Sequence, residues 1–598
     1  MWWRHGWSAA AAVGVLLSYV TVLWGMPKHV FWSPDEGGKF IELHCIAWHA
    51  GLRYSMPYAA QRIDPEFKFY PHVSTPDGDT FPYPVAGSGG TVRFNWPIWF
   101  PLLSGFMLRA FGLPGIYVIP LLSGWLLALV SGRIAHSFNP RFTSLTILLV
   151  GLATPVCFYS QCFWEHTFAA LFALIAVAIL VRARPGSMRA LVAMTYPLIA
   201  ATMLRIEMVA FALAAVLTWA VSAVACRTWS EPAPVPSQAR RLRRWWSIVL
   251  LAGAAAGIFW LAGAAAPARQ QRFITALPAR MVRTPRLLPQ LPRSVVSVLV
   301  NTGRNEGPVV DPRWVTVACV GVLLCLMAPL LSAVRIEAAV IAPALLIVLA
   351  YSASVAFLGQ RYRSLHGIFP VAPFMVVAFY ALPEAWRRRD AALLALSSFA
   401  VLYLVIGCAA IFAFYVDVEG GLLTGLEWGQ RYLLALYPVL TILSVVALYT
   451  YRESNRPAWL KRYFVVMVAA MMTIGVQQEV RGSTMLRFNR EELAACDREL
   501  RTEGPLVTDL WWLPTTVAPL FLTKEMSYVQ NPAELAEWVA LAAAQGIPRF
   551  TFVSLVPIRE GQLADAPVRL VPQGSRSVFG LHLTRLDVIS TRTPPAAP

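Results

Sequence analysis

Long apolar runs separated by short polar turns fill the chain from residue 8 to about residue 478. Runs of this length cross the hydrocarbon core of a bilayer as helices, because a helix satisfies its own backbone polar groups. They lie at 8–26, 115–135, 142–159, 167–181, 188–204, 208–225, 245–266, 313–333, 338–358, 367–383, 391–414, 432–450 and 462–478. The pattern predicts a polytopic α-helical membrane protein with about 13 transmembrane helices. Met1 to Met26, with its short basic start and no small-residue cleavage site, is expected to remain as the first of them. Trp96 to Phe111 is also apolar. Counting it as a span would reverse every later helix and put the Arg240–Arg244 cluster outside, so it is expected to lie along the membrane surface.

The pattern changes after residue 479. Helical stretches (Arg490–Leu500, Pro532–Ala544) alternate with strand-like runs (Pro505–Thr508, Arg549–Ser554, Val578–Leu583), which predicts a small soluble α/β domain at the C-terminus, 480–598. The membrane part, 1–479, has two long outer loops, 27–114 and a basic one at 267–313.

Composition agrees with the membrane assignment: 57% of the residues are hydrophobic and only 14% charged, where a soluble chain carries about a quarter. The net charge of +18 comes from basic residues scattered between apolar runs, which leaves little support for nucleic-acid binding. Arg133 and Arg141, Arg182 to Arg189, Arg227 to Arg244, and Arg387 to Arg389 fall in alternate turns. That asymmetry predicts a cytoplasmic N-terminus, with the other set of loops and the C-terminal domain outside. The eight cysteines form no CxxC and no disulfide framework.

The other set of turns holds the candidate chemistry. Directly after the first run comes FWSPDEGGKFIEL, with adjacent Asp35 and Glu36 at a membrane boundary, where carboxylates are costly. Pro34 before them and Gly37-Gly38 after them predict a turn that points both acids into a cavity. YSQCFWEHT supplies Glu165 and His166, LRIEM supplies Arg205 and Glu207, and GLEWGQRY supplies Glu427, Gln430, Arg431 and Tyr432. GQRY occurs twice, at Gly359–Tyr362 and Gly429–Tyr432, so Arg361 joins the candidates. Carboxylates facing arginines suit a site that deprotonates a hydroxyl while stabilising a phosphate leaving group. Each part has a plainer alternative: Glu165-His166 as an interfacial pair, Arg205-Glu207 as a brace between helices, Arg431 snorkelling to lipid phosphate.

The pattern resembles the GT-C superfamily of membrane glycosyltransferases, which includes protein O-mannosyltransferases and lipid A aminoarabinose transferases. Asp35-Glu36 matches the family's acidic motif in type and place, and the resemblance covers the membrane part. Glu165-His166 stands where an Asp is more usual, which is a departure. The resemblance implies a sugar donor on a polyprenyl phosphate, inverting transfer to a hydroxyl of a glycan, lipid or protein acceptor, and an active site on the periplasmic side of a bacterial inner membrane. It implies Asp35 as general base, Glu36 as its orienting partner or acceptor ligand, and Arg431, Arg361 and the Arg269–Arg304 loop on the lipid phosphate. Some relatives bind a divalent metal such as Mg or Mn. Asp35, Glu165 and His166 would hold one only if they converge. Other classes stay open: a transporter or flippase for a lipid-linked or anionic solute, a surface-polysaccharide polymerase or ligase, and a non-catalytic scaffold. The absence of two related halves counts against the transporter.

Overall fold

The computed structural model describes residues 6–46, 58–70, 73–74, 80–81, 85–86, 92–93, 97–229, 298–300, 312–328, 334–358, 365–415, 428–557, 569–578 and 580–589. The expected span 245–266, the Arg269–Arg304 loop apart from 298–300, Arg361 and Glu427 lie outside them. The chain forms two compact units. The first comprises the described parts of Met1–Trp24, Tyr117–Ala266 and Gln270–Met485; the second comprises those of Gly25–Ile116, Pro267–Arg269 and Leu486–Pro598. The boundary expected near residue 479 falls inside one helix, Ala458–Leu500, and the stretch 25–116 groups with the tail.

The first unit is helical. It contains α1 (Gly6–Trp24), α4 (Val118–Phe138), α5 (Phe142–Leu152), α6 (Val156–Tyr159), α7 (His166–Arg182), α8 (Met188–Leu204) and α9 (Met208–Trp229). Further helices follow at Pro312–Met327, Val334–Leu358, Ala391–Tyr415 and Leu436–Glu453, and the long helix Ala458–Leu500 begins here. Among the described residues, six helices are long and apolar enough to cross a membrane, so the chain is an integral membrane protein. Two expected spans are not single helices. The run 142–159 breaks at Ala153–Pro155 into α5 and α6, and 367–383 divides into Ile368–Val371, a 3-10 helix Pro373–Tyr380 and Ala381–Arg388. Pro155 and Pro373 explain both breaks, since a proline has no N–H to donate into the preceding turn. Small residues let helices approach. A Cβ on Gly151 of α5 would fall 2.6 Å from Val15 of α1, and Tyr19 of α1 donates to the Gly151 carbonyl at 2.9 Å.

The second unit is built on a five-stranded sheet. Its strands are β1 (Leu506–Thr508), β2 (Met526–Tyr528), β3 (Arg549–Ser554), β4 (Arg569–Val578) and β5 (Leu581–Ile589), in the order β2-β1-β3-β5-β4. β1 pairs in parallel with β2 and β3, while β5 pairs antiparallel with β3 and β4. The helix Pro532–Ala544 crosses between β2 and β3, capped by Asn531, whose side chain accepts from Glu534 N–H. Its buried Trp538 and Val539 pack on Val507, Phe550 and Leu586 of the sheet. The expected strand 578–583 is divided: Val578 ends β4 and Leu581–Leu583 begin β5, with a turn at Gly580. Gly580, at φ +80°, takes the left-handed conformation that the turn requires.

The early part of the chain joins this unit through α2 (Pro34–Cys45), α3 (Trp99–Phe111) and a short turn near residue 60. Ile63 and Phe69 enter the sheet's core. Asp64 organises that turn, accepting from the Lys68 and Phe69 N–H groups at 2.8 Å and from the Tyr58 hydroxyl at 3.0 Å. Burial raises its carboxyl above the usual range, and the two backbone donors oppose that shift. α3 buries Phe100 and Ser104 and exposes Leu103, Phe106 and Phe111. It is the helix expected at Trp96–Phe111, and its uncovered apolar side is what an interfacial helix presents.

Candidate functional site

Asp35 and Glu36 are not in a turn. They occupy the first turn of α2, and the sequence dictates why. Ser33 is the N-cap, its side chain accepting from Glu36 N–H at 3.3 Å; Glu36 Oε2 reaches back to Trp32 N–H at 2.8 Å and Ser33 N–H at 3.4 Å. This reciprocal capping box, with Pro34 preset for a first helical position, starts a helix where Gly37-Gly38 suggested a turn. Gly37 serves another purpose: a Cβ there would lie 1.7 Å from the Thr515 carbonyl oxygen. The start of α2 is thereby seated on backbone at 513–516, and Phe31 N–H donates to the Thr516 carbonyl at 2.8 Å. Gly37→Ala is expected to force that backbone apart and destabilise the second unit by about 1–3 kcal/mol. Thermal unfolding of the purified protein checks this, and an unchanged midpoint would contradict the close seat.

The two acids therefore differ. Glu36 is fully buried, and its Oε1 accepts from Arg490 Nη2 at 3.1 Å in an ion pair with both side chains 0% exposed. Lys28 sits beside Arg490; burial first, and then that guanidinium, push its ammonium down to about 8. Asp35 is only partly buried. Glu36 holds the helix start, and Asp35 is the more exposed member of the pair.

In the first unit, four of the other candidates come together. Glu165 and His166 open α7, and Arg205 follows the last turn of α8 in an extended conformation. Arg205 Nη1 donates to Glu165 Oε1 at 2.6 Å and lies 3.1 Å from His166 Nε2, while its Nη2 donates to Glu207 Oε1 at 2.8 Å. The Tyr432 ring lies 5.7 Å from the same guanidinium. Arg431, 7% exposed, sits over the Trp164 ring at 5.1 Å and the Tyr432 ring at 4.9 Å and donates to the Tyr432 hydroxyl at 2.9 Å. Arg205 is thus matched by two carboxylates, and Arg431 lies against two aromatic rings. A guanidinium stacked against aromatic faces gains a cation–π attraction.

The second GQRY copy is fixed by its neighbours. Trp428 forms a parallel bridge with Leu365, Gly429 N–H donates to the Leu365 carbonyl, and Gln430 N–H donates to the Tyr437 hydroxyl at 2.9 Å. Trp428 N–H donates to the Tyr159 hydroxyl at 3.0 Å, and Gly482 leaves room for the Trp428 ring. Sequence reasoning missed Glu479. It is 1% exposed on Ala458–Leu500, against the Trp428 side chain and the Phe158 backbone, and so supports the turn that carries Arg431. Its signal was present: an acid one residue beyond an apolar run whose helix continues.

Among the described residues, no group of three or more His, Cys, Asp or Glu side chains could hold a metal ion. The cation that Glu165 and His166 do meet is the Arg205 guanidinium, so this pair does not fit a divalent metal.

No family model matches the chain, and no curated protein matches it. Among solved structures, it is similar to the crystal structure of ArnT from Cupriavidus metallidurans in the apo state. The identity is 13%, over 96% of this chain and 98% of that one, with a TM-score of 0.42.

Proposed function

We propose that this integral membrane protein is a glycosyltransferase of the GT-C type, moving a sugar from a polyprenyl-phosphate carrier to an acceptor hydroxyl on the outer face of the bacterial inner membrane. The observation that carries this reading is the division of labour between Asp35 and Glu36. Glu36 is consumed by the capping box and by Arg490, and it presents a partly exposed Asp35 at a helix start. Asp35 acts as general base: it takes the proton of the acceptor hydroxyl as that oxygen attacks the anomeric carbon. The bond from the anomeric carbon to the phosphate oxygen breaks, with inversion, and the phosphate leaves with the lipid. By the sequence resemblance, Arg431 is the residue assigned to that phosphate. Arg205, Glu165, His166 and Glu207 brace the turn beside it. Arg361 and Glu427 belong to the same candidate set by sequence.

The test is sugar transfer by the purified protein in detergent, from a panel of polyprenyl-phosphate sugars to a cell-envelope extract. Asp35→Asn is expected to fold and to lose about 10²–10⁴-fold in turnover, the range for a positioned general base. Turnover near that of the unaltered protein would remove Asp35 as the base. No transfer from any donor by the folded protein would favour a transporter of lipid-linked solutes, with flux across vesicles as its assay.

A further inference from the structure

A second site lies at the other end of α7 and α8, about 25 Å along α7 from His166 at a rise of about 1.5 Å per residue. A groove of about 980 Å³ opens there. Leu129, Ile175 and Ile179 line its apolar part, and Arg133, Arg182, Arg184 and Arg189 line its polar part. The four arginines come from the last turns of α4, the end of α7, the α7–α8 turn and the start of α8. No acidic residue is among the described residues lining it.

The turn is held in place. Gly186, at φ +75°, brings the chain within 3.1 Å of the Ala223 side chain as measured from the Cβ it lacks. The Ser187 side chain caps α8 through Ala190 N–H, and the Ser187 carbonyl accepts from Trp219 Nε1 at 3.1 Å. Arg182 Nη2 donates to the Arg133 carbonyl at 3.2 Å, tying α7 to α4. A topological excess of basic residues requires only that they lie in the right loops. Here they converge from three helices on one preformed cavity with an apolar wall, and gathering like charges costs energy that an anion returns.

We propose that this groove binds an anionic glycerophospholipid, its headgroup phosphate taken by Arg133, Arg182, Arg184 and Arg189 and one acyl chain lying along Leu129, Ile175 and Ile179. Basic pockets between membrane helices bind lipid headgroups in this way, and a volume near 1,000 Å³ admits a headgroup with part of its chains. The site is separate from the candidate active site and does not depend on the reaction proposed above.

Native mass spectrometry of the purified full-length protein tests it, with phosphatidylglycerol and phosphatidylcholine of identical chains as probes. Phosphatidylglycerol is expected to be retained at least about tenfold better. Arg182, Arg184 and Arg189 are exposed, so the combined replacement Arg182→Gln, Arg184→Gln, Arg189→Gln is expected to leave the fold intact and to weaken that binding by about fivefold per arginine. Arg387→Gln, Arg388→Gln, Arg389→Gln removes the same charge elsewhere and is expected to change nothing. Equal retention of the two lipids would overturn the proposal, as would an equal loss in the control variant. Displacement of the lipid by soluble glycerol phosphate at equal concentration would show a small-phosphate site instead and overturn it too. Should the triple variant fail to fold, Arg189→Gln alone is expected to show the fivefold loss, and its absence would sink the idea.

Discussion

Arg490→Met is expected to destabilise the second unit by about 3–5 kcal/mol, the cost of leaving one member of a buried ion pair without the other. The guanidinium and the Glu36 carboxylate are both 0% exposed. With Arg490 gone, Glu36 Oε2 keeps its backbone donors at Trp32 and Ser33, but Oε1 loses a charged partner that water cannot replace at that depth. Glu36→Gln should cost a similar amount, because an amide can no longer both accept from the cap and neutralise Arg490. Combining the two should cost clearly less than the sum, since neither charge is then stranded. Cys45 and Cys496, both buried in this unit, report local opening by their thiol-labelling rates under native conditions. A loss of about 3–5 kcal/mol raises those rates by about 10²–10³-fold or more where labelling tracks the open population. Rates unchanged in Arg490→Met would mean that the pair does not hold α2 in place, and the account of Asp35 as a presented base would lose its support.

Most of the helical architecture was legible because the apolar runs are long and continuous. α1, α7, α8 and α9 begin and end within a few residues of the runs that predicted them. The runs at 142–159 and 367–383 failed at Pro155 and Pro373, where hydropathy continues but hydrogen bonding cannot. The misreading of Asp35-Glu36 is more instructive. Ser33-Pro34-Asp35-Glu36 carries a capping-box signature, and two adjacent glycines outweighed it. The Thr515 carbonyl explains Gly37, and Arg490 accounts for the buried charge of Glu36; both come from far along the chain, where local pattern has no reach. The gathering of Glu165, His166, Arg205 and Glu207 was legible as four polar residues in two turns between apolar runs. Which anion matched which cation was not, because it depends on how α7 and α8 pack.

That match gives the second large effect. Arg205→Met is expected to destabilise the first unit by about 3–5 kcal/mol, because it removes the guanidinium from which Glu165, 2% exposed, and Glu207 both accept. Arg205→Lys should recover only part of this. An ammonium is a point charge on a flexible stem and cannot span Glu165 Oε1, Glu207 Oε1 and His166 Nε2 together, as the planar fork does. Adding Glu165→Gln to Arg205→Met should restore stability relative to Arg205→Met alone, because it removes the carboxylate with least access to water. Thermal unfolding in detergent measures all three variants. The same set separates bracing from chemistry. Arg205 faces the Tyr432 ring, and Tyr432 holds Arg431, so a brace that loosens should weaken donor affinity in proportion to the stability lost. If Arg205→Lys kept nearly full stability but lost transfer, the guanidinium would be acting on the substrate itself. If Arg205→Met unfolded no more readily than the unaltered protein, neither role would stand.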